Sequence, residues 1–181
     1  MISNMVCRHC IAAVEGALAK ADIPYQNVEI GKVTLMQPLD AEQQERLDAE
    51  LQALGFQRIE NDGQAIVESA KIAVRHHVRD ERACRLKLSA CIESQVGLPY
   101  PTVSRLFSQY EGRTLENYHQ AQKIERVKEM LQQGRHSLEE IAHIVDYSSA
   151  AHLSRRFKEI TGMTPTDYIK LQPPRTPLNE I

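Results

Sequence analysis

Apolar residues recur at helical spacing along most of this chain, and in its last third they do so twice in the same phrase. From Leu86 to Tyr118, and again from Ser137 to Tyr168, an apolar helix is followed by a short break and a second helix with a basic outer face. Placing Arg105-Leu106-Phe107 on Arg155-Arg156-Phe157 brings Gly112 onto Gly162 and Tyr118 onto Tyr168, a single offset of 50 residues. Register kept this long marks a duplicated architecture. A long helix is predicted between the copies, from Thr114 to Gln133. It carries Tyr118, Ala121, Ile124, Val127, Met130 and Leu131 on one side and stops at Gly134. Two linked helix-turn-helix units imply double-stranded DNA as the partner, because successive major grooves on one face recur at about 34 Å.

The same periodicity separates packing residues from candidate contacts. Ser137 and Glu140 have the spacing of a capping box, which fixes the start of a helix whose Leu138, Ile141, Ala142 and Val145 point inward. In the helix that follows, Leu153, Phe157 and Ile160 fall on the core side, which leaves Ala151, His152, Arg155 and Arg156 for the groove. In the first copy Val103, Leu106, Phe107 and Tyr110 are the inward set, leaving Pro101, Thr102, Ser104, Arg105 and Ser108. An arginine there can bond guanine bidentately, whereas the bland alternative is an exposed pair with Glu159. Lys123, Arg126 and Lys128 on the joining helix are candidates for phosphate contacts, which position without specifying.

The first third reads differently. Ile11, Val14 and Leu18 predict a helix from Cys10 to Ala21, and Asp40 caps a second one that carries Leu47, Leu51 and Leu54 and ends at Gly55. Between them Val28 and Ile30, a turn at Gly31-Lys32, and Val33 and Leu35 read as a hairpin. Short strands at Ile2 to Met5 and Phe56 to Glu60 would complete βαββαβ, a ferredoxin-like order. Turn formers at Asn61-Asp62-Gly63-Gln64 mark a linker. The expected fold class is therefore α+β: residues 1–62 as a ferredoxin-like domain, and residues 63–181 as an all-α domain with two helix-turn-helix units. The tail from Pro173 to Pro177 cannot form regular helix and is expected to be mobile.

Composition modifies this picture at three points. The net charge of -2 conceals opposite halves: residues 1–64 hold five Lys/Arg against ten Asp/Glu, and the remainder holds 17 against 14. The second half is only modestly basic, so DNA affinity must come from local faces such as Arg75 to Lys87. No apolar run is long enough for a membrane span and the first residues do not open a signal peptide, which points to the cytoplasm. Four cysteines do not make a disulfide scaffold, and Cys84 and Cys91, seven apart, are expected as buried thiols. No Ser/His/Asp set, phosphate loop or spaced carboxylate pair suggests an enzyme.

Met5-Val6-Cys7-Arg8-His9-Cys10 supplies the remaining chemistry. Two cysteines three apart at a helix N-terminus can aim both sulfurs at one soft ion, and two thiolates satisfy Cu(I) where tetrahedral zinc needs about four ligands. His9 or a second chain can add ligands, the latter giving a metal-bridged homodimer. A thiol redox pair is the competing use of the same residues.

Roughly residues 1 to 62 resemble the heavy-metal-associated domain family, whose loop motif is Met-x-Cys-x-x-Cys and whose second helix is commonly followed by Gly and an aromatic, as at Gly55-Phe56. The resemblance implies Cys7 and Cys10 as ligands for Cu(I) or another thiophilic ion such as zinc. It implies Met5 as a buried support of the loop and Phe56 as an apolar neighbour; Asn4 stands where the family usually has Gly. Residues 65 to 172 resemble the DNA-binding domain of AraC/XylS-type bacterial transcription regulators. Ile141-Ala142, Val145 to Ser149, Leu153 to Lys158, Gly162 and Thr164-Pro165 with Tyr168 carry that likeness, with Asp146 where the family usually has Gly. Together they imply a metal-responsive, sequence-specific regulator. A metal-trafficking protein with a scaffolding helical domain and a thiol redox-responsive regulator are the alternatives.

Overall fold

The structure, a computed structural model, describes residues 1–59, 61–79 and 87–171. Glu60, the part of the Arg75 to Lys87 run from Asp80 to Leu86 (with Cys84), and the proline-rich tail lie outside the described residues.

The N-terminal unit is built from α1 (Arg8–Lys20), β1 (Tyr25–Glu29), β2 (Lys32–Leu35) and α2 (Ala41–Ala53). The predicted hairpin is present, with Glu29 opposite Lys32 and Val28 opposite Val33. Asp40 accepts the Gln43 amide at 2.8 Å and Gln43 returns a bond to the Asp40 amide, so a full capping box starts α2. The expected four-stranded βαββαβ sheet is not what forms. Among the described residues the sheet has two strands, and the flanking segments meet only in an isolated bridge between Ile2 and Arg58. The reason is local: Asn4 takes a φ of 65° and Gly55 a φ of 78°, leaving too few extended residues on either side for a strand. The α+β, ferredoxin-like reading is accordingly replaced by a mainly helical chain with one small hairpin. Ile2, Met5, Val14, Leu18, Val28, Leu47, Leu51 and Phe56 still share one core. Leu54, expected inside, is 45% exposed just past the end of α2.

Asn61-Asp62-Gly63-Gln64 is not a free linker either. Helix α3 (Asp62–Arg79) begins there, with the Asn61 side chain accepting the Gly63 amide at 2.7 Å. Then follow α4 (Leu88–Val96), α5 (Tyr100–Glu111), α6 (Leu115–Gln133), α7 (Leu138–Ile144), α8 (Ala150–Thr161) and α9 (Pro165–Leu171). One core gathers Val67, Ala70, Ala73 and Val74 of α3 around Ile92, Val103, Phe107, Leu115 and Tyr118. A second gathers Ile124, Val127, Met130 and Leu131 around Ile141, Val145, Leu153, Phe157 and Tyr168. Helix α6 thus contributes its first turn to one core and its remainder to the other. Cys91 is buried, as expected, but is held in a disulfide and is not a free thiol.

The repeat is visible in the packing. Phe107 and Tyr118 meet at a tilt with 5.4 Å between ring centroids, and Phe157 and Tyr168, their counterparts 50 residues on, meet edge-on at 5.5 Å. Gly112 and Gly162 end α5 and α8 in left-handed conformations at φ 66° and 78°. Two residues assigned inward are not buried: Ile160 is 41% and Tyr110 39% exposed. The Tyr110 hydroxyl instead donates to Asn61 Oδ1 at 3.1 Å, docking α5 on the start of α3. Among the described residues no helix is long and apolar enough to cross a membrane.

Candidate nucleic-acid interface

Helices α5 and α8 are the second helices of their units, and each has its apolar side fixed by one core. Val103 and Phe107 hold α5, and Leu153 and Phe157 hold α8. What remains outward is set by the helical repeat. On α8, Ala151, His152 and Arg155 are exposed and Arg156 is half-buried. Ser148, Ala151, His152 and Arg155 line a shallow concavity on this face. On α5, Pro101 and Arg105 are exposed, while Thr102, Ser104 and Ser108 are half-buried.

The two faces differ in how tightly their side chains are held. Ser149 caps α8 by accepting the His152 amide at 3.1 Å, while Ser148 Oγ lies 3.0 Å from His152 Nδ1 and the Tyr147 ring meets the imidazole edge-on at 5.3 Å. His152 is therefore placed before any ligand arrives. Arg156 donates to Glu159 at 2.8 Å, and this bond holds the Glu159 carboxyl below its ordinary range. Arg155 reaches the same carboxylate only at 4.0 Å with its side chain 72% exposed, an arrangement that leaves its guanidinium free to turn outward. Arg105 has no ion-pair partner among the described residues. Ser108 Oγ donates to the Ser104 carbonyl at 3.0 Å, and the N-terminus of α5 is satisfied by Glu93, which accepts the Tyr100 amide at 2.7 Å.

Charge is unequally shared. Helix α8 carries Arg155, Arg156 and Lys158 against Glu159, whereas α5 sets Arg105 against Glu111. In the run from Arg75 to Lys87, the described arginines are taken up by carboxylates. Arg75 is buried against Glu68, and Arg79 pairs with Glu129 at 2.6 Å. On α6, Arg126 and Lys128 pair with Glu129 and Glu125, which uses up two of the three expected phosphate contacts. Lys123 lies 5.3 Å from the Tyr147 ring centroid and donates to the Asp146 carbonyl at 3.4 Å. Only Arg79–Glu129 joins two helices; Arg126–Glu129 and Lys128–Glu125 are pairs three apart on α6, legible in their spacing, and Lys123 meets a turn with no charge signature.

The cysteine loop is the other candidate site. Cys7 is the N-cap of α1, and its sulfur lies 3.6 Å from that of Cys10 and 4.0 Å from His9 Nδ1. Burial works against the Cys7 thiolate, but hydrogen bonds from Cys10 and His9 outweigh it and hold the thiol below its ordinary range. Met5 is fully buried, and its sulfur accepts the Gly31 amide at 3.3 Å, so it braces the loop against the hairpin turn. Phe56 lies in the same core, against which Cys10 packs, while His9 is exposed. Among the described residues no group of three or more His, Cys, Asp or Glu is close enough to hold a metal, so the donor set within one chain is two free thiols. That set fits a low-coordinate thiophilic ion and does not by itself complete a closed zinc site.

Comparison with known proteins agrees with the helical half. Residues 92–171 match the family described as a helix-turn-helix domain. The xylose operon regulatory protein of Escherichia coli strain K12 is 23% identical over 113 residues, covering 62% of this chain and 29% of that protein. The chain thus spans less than a third of the length of the curated relatives it matches. A solved transcriptional regulator from Chromobacterium violaceum, described as containing an AraC-type DNA-binding domain, is 24% identical with a TM-score of 0.53 over 62% of this chain and 96% of that one. The xylose-binding transcription activator XylR is 18% identical with a TM-score of 0.52 over 93% of this chain and 51% of that one. At such identities the structural likeness establishes the fold. Residues 92–171, the two units joined by α6, are thus similar to a helix-turn-helix domain.

Proposed function

We propose that this protein is a transcription regulator that reads a duplex operator with α5 and α8 and answers to a soft metal ion, Cu(I) in the first instance, at Cys7 and Cys10. The observation that carries the first half is the matched pair of aromatic-anchored helices on one shared rod. Helix α6 is 19 residues long, about 28 Å at 1.5 Å per residue, a length suited to setting two helices near successive grooves. Arg155 and Arg105 contact bases, Ala151 and Pro101 allow close approach, and Thr102, Ser104, Ser108, His152 and Arg156 contribute polar or phosphate contacts.

The second half rests on two free thiols 3.6 Å apart at a helix N-terminus, with the thiolate of Cys7 favoured. Cys7 and Cys10 would hold the ion, which supplies a fixed positive charge and a constraint on the loop. His9 stands beside them, and a second copy of the chain can complete a bridged homodimer. The test is selection of bound sequences from a random duplex pool, followed by affinity measurements across a salt series with and without Cu(I), for the wild type and Cys7→Ser. Specific binding with a steep salt dependence is expected, together with a Cu(I) effect that Cys7→Ser abolishes. Absence of sequence preference sinks the regulator. Equal affinity in all metal conditions removes the metal response, and an effect produced by oxidant in place of Cu(I) assigns the thiols to redox control.

A further inference from the structure

Arg75 lies in the fourth turn of α3 with 5% of its surface exposed, and its guanidinium faces three parts of the chain. One nitrogen donates to the Tyr118 hydroxyl at 3.1 Å, and the other donates to the Met5 carbonyl at 3.4 Å and to Glu68 at 3.3 Å. Met5 opens the cysteine loop. Tyr118 belongs to α6, and its ring packs on Phe107 of α5 at 5.4 Å. One turn earlier on α3, Ile72 lies so close over Gly31 that a Cβ there would come within 2.4 Å of it, and the Gly31 amide is the donor to the Met5 sulfur. Two neighbouring side chains of α3 therefore bracket the residue from which the thiol-bearing segment departs.

We propose that Arg75 and Tyr118 are the positioning pair through which a thiolate ligand at Cys7 and Cys10 sets the pose of α5, an inference that rests on the metal-responsive reading above. Ligation would hold both sulfurs, now 3.6 Å apart, on one ion, and an adjustment of the loop to that ion reaches the Met5 carbonyl two residues before Cys7. The Arg75 donors are buried, so water cannot replace a carbonyl that moves away, and the guanidinium follows it. Bonds of 3.3 and 3.4 Å are longer than the ~2.7–2.9 Å of tight charge-assisted bonds, so the network has room to tighten when the loop shifts. Tyr118 then carries the change to Phe107. The second unit has its own anchor, since Gln132 donates to the Tyr168 hydroxyl at 3.3 Å, so the shift acts on the α5 half of the operator first.

The test uses the full chain, duplex selected by the wild type, and Cu(I) under reducing, oxygen-free conditions. Tyr118→Phe is the principal variant because it keeps the ring; Arg75→Lys is the second, since larger changes at Arg75 leave the buried Glu68 with only its 3.8 Å contact to Lys71. A Cu(I)-dependent change in wild-type DNA affinity of about 5- to 150-fold is expected, falling below about twofold in Tyr118→Phe with Cu(I) affinity retained. Amide exchange is read in parallel, and Tyr118→Phe is expected to speed exchange at residues 5–10, which it does not touch. A Cu(I) factor unchanged in both variants overturns the relay and leaves the metal response standing. If the wild type shows no Cu(I) factor, the metal response falls; exchange at residues 5–10 that ignores Tyr118→Phe then overturns the relay as well, and faster exchange there upholds it.

Discussion

Asp146 sits in the turn of the second helix-turn-helix unit with φ 57°, a left-handed conformation that costs an ordinary L-residue about 1–2 kcal/mol. The turn is fixed from both sides. The Asp146 amide bonds the His143 carbonyl at 3.1 Å, the Tyr147 amide bonds the Ala142 carbonyl at 2.8 Å, and the Asp146 carbonyl accepts from Lys123. All of these are backbone groups of the turn, so substitution at 146 leaves them in place and changes only the conformational cost. Asp146→Gly removes the strain but loosens the unfolded chain by roughly 0.5–1 kcal/mol, for a net gain of about 0–1.5 kcal/mol. Asp146→Ala keeps the strain and gives up the side chain's local hydrogen-bonding capacity. Glycine is therefore expected to exceed alanine by about 1 kcal/mol, read as a higher urea midpoint at unchanged slope, or as a melting difference of about 2–4 °C for a chain of this size. Alanine as stable as glycine would show that the turn is not held left-handed and would refute the reasoning.

Other outcomes follow from the same geometry. Arg155→Ala should leave stability within about 0.5 kcal/mol, because its pair with Glu159 is long and exposed, yet cost about 1–3 kcal/mol of DNA binding concentrated at one base position; a uniform loss across sequences with a shallower salt slope would reassign it to phosphate. Phe157→Ala and Phe107→Ala, both fully buried, should each cost about 3–5 kcal/mol in denaturant unfolding, and a loss below about 1 kcal/mol at either site would contradict the shared aromatic anchor. His119 is pushed down to about 4 by burial, with the charges of Lys123 and His77 adding to it. The unfolded chain binds the proton more readily, so stability is complete above the ordinary histidine range and is lost as pH falls from about 6.5 toward 4, roughly 3 kcal/mol in total. His119→Gln should flatten that part of the pH profile, and an unchanged profile would exclude His119 as its source.

The helical half was legible because its signals are local. Capping residues, glycine stops and the aromatic pairs at a fixed offset depend only on neighbours along the chain, and Ser137, Gly162 and Phe157 with Tyr168 stand as their spacing predicts. The N-terminal sheet was over-read because alternation over four or five residues does not reveal a backbone that turns left-handed at its edge, as at Asn4. Asn4 and Asp146 share a lesson. Each stands where a resembled family usually has glycine, and each is a residue type that tolerates positive φ, so the departure from the motif preserved the turn. Charged positions were the least legible. Arg75, Arg79, Arg126 and Lys128 read as a basic surface in one dimension and are ion-paired in three.

Helix α6 belongs to both cores, which makes the number of residues between the two units a matter of phase as well as distance. One residue inserted in its middle would advance the second unit by about 1.5 Å and swing it by about 100° around the axis, turning the face that carries Arg155 to a new bearing relative to α5. Seven inserted residues would bring the bearings back to within about 20° while moving the units some 10 Å further apart. The tolerated spacing of the two units is thus written into this helix as a clock face, with a few permitted hours and long silent intervals between them.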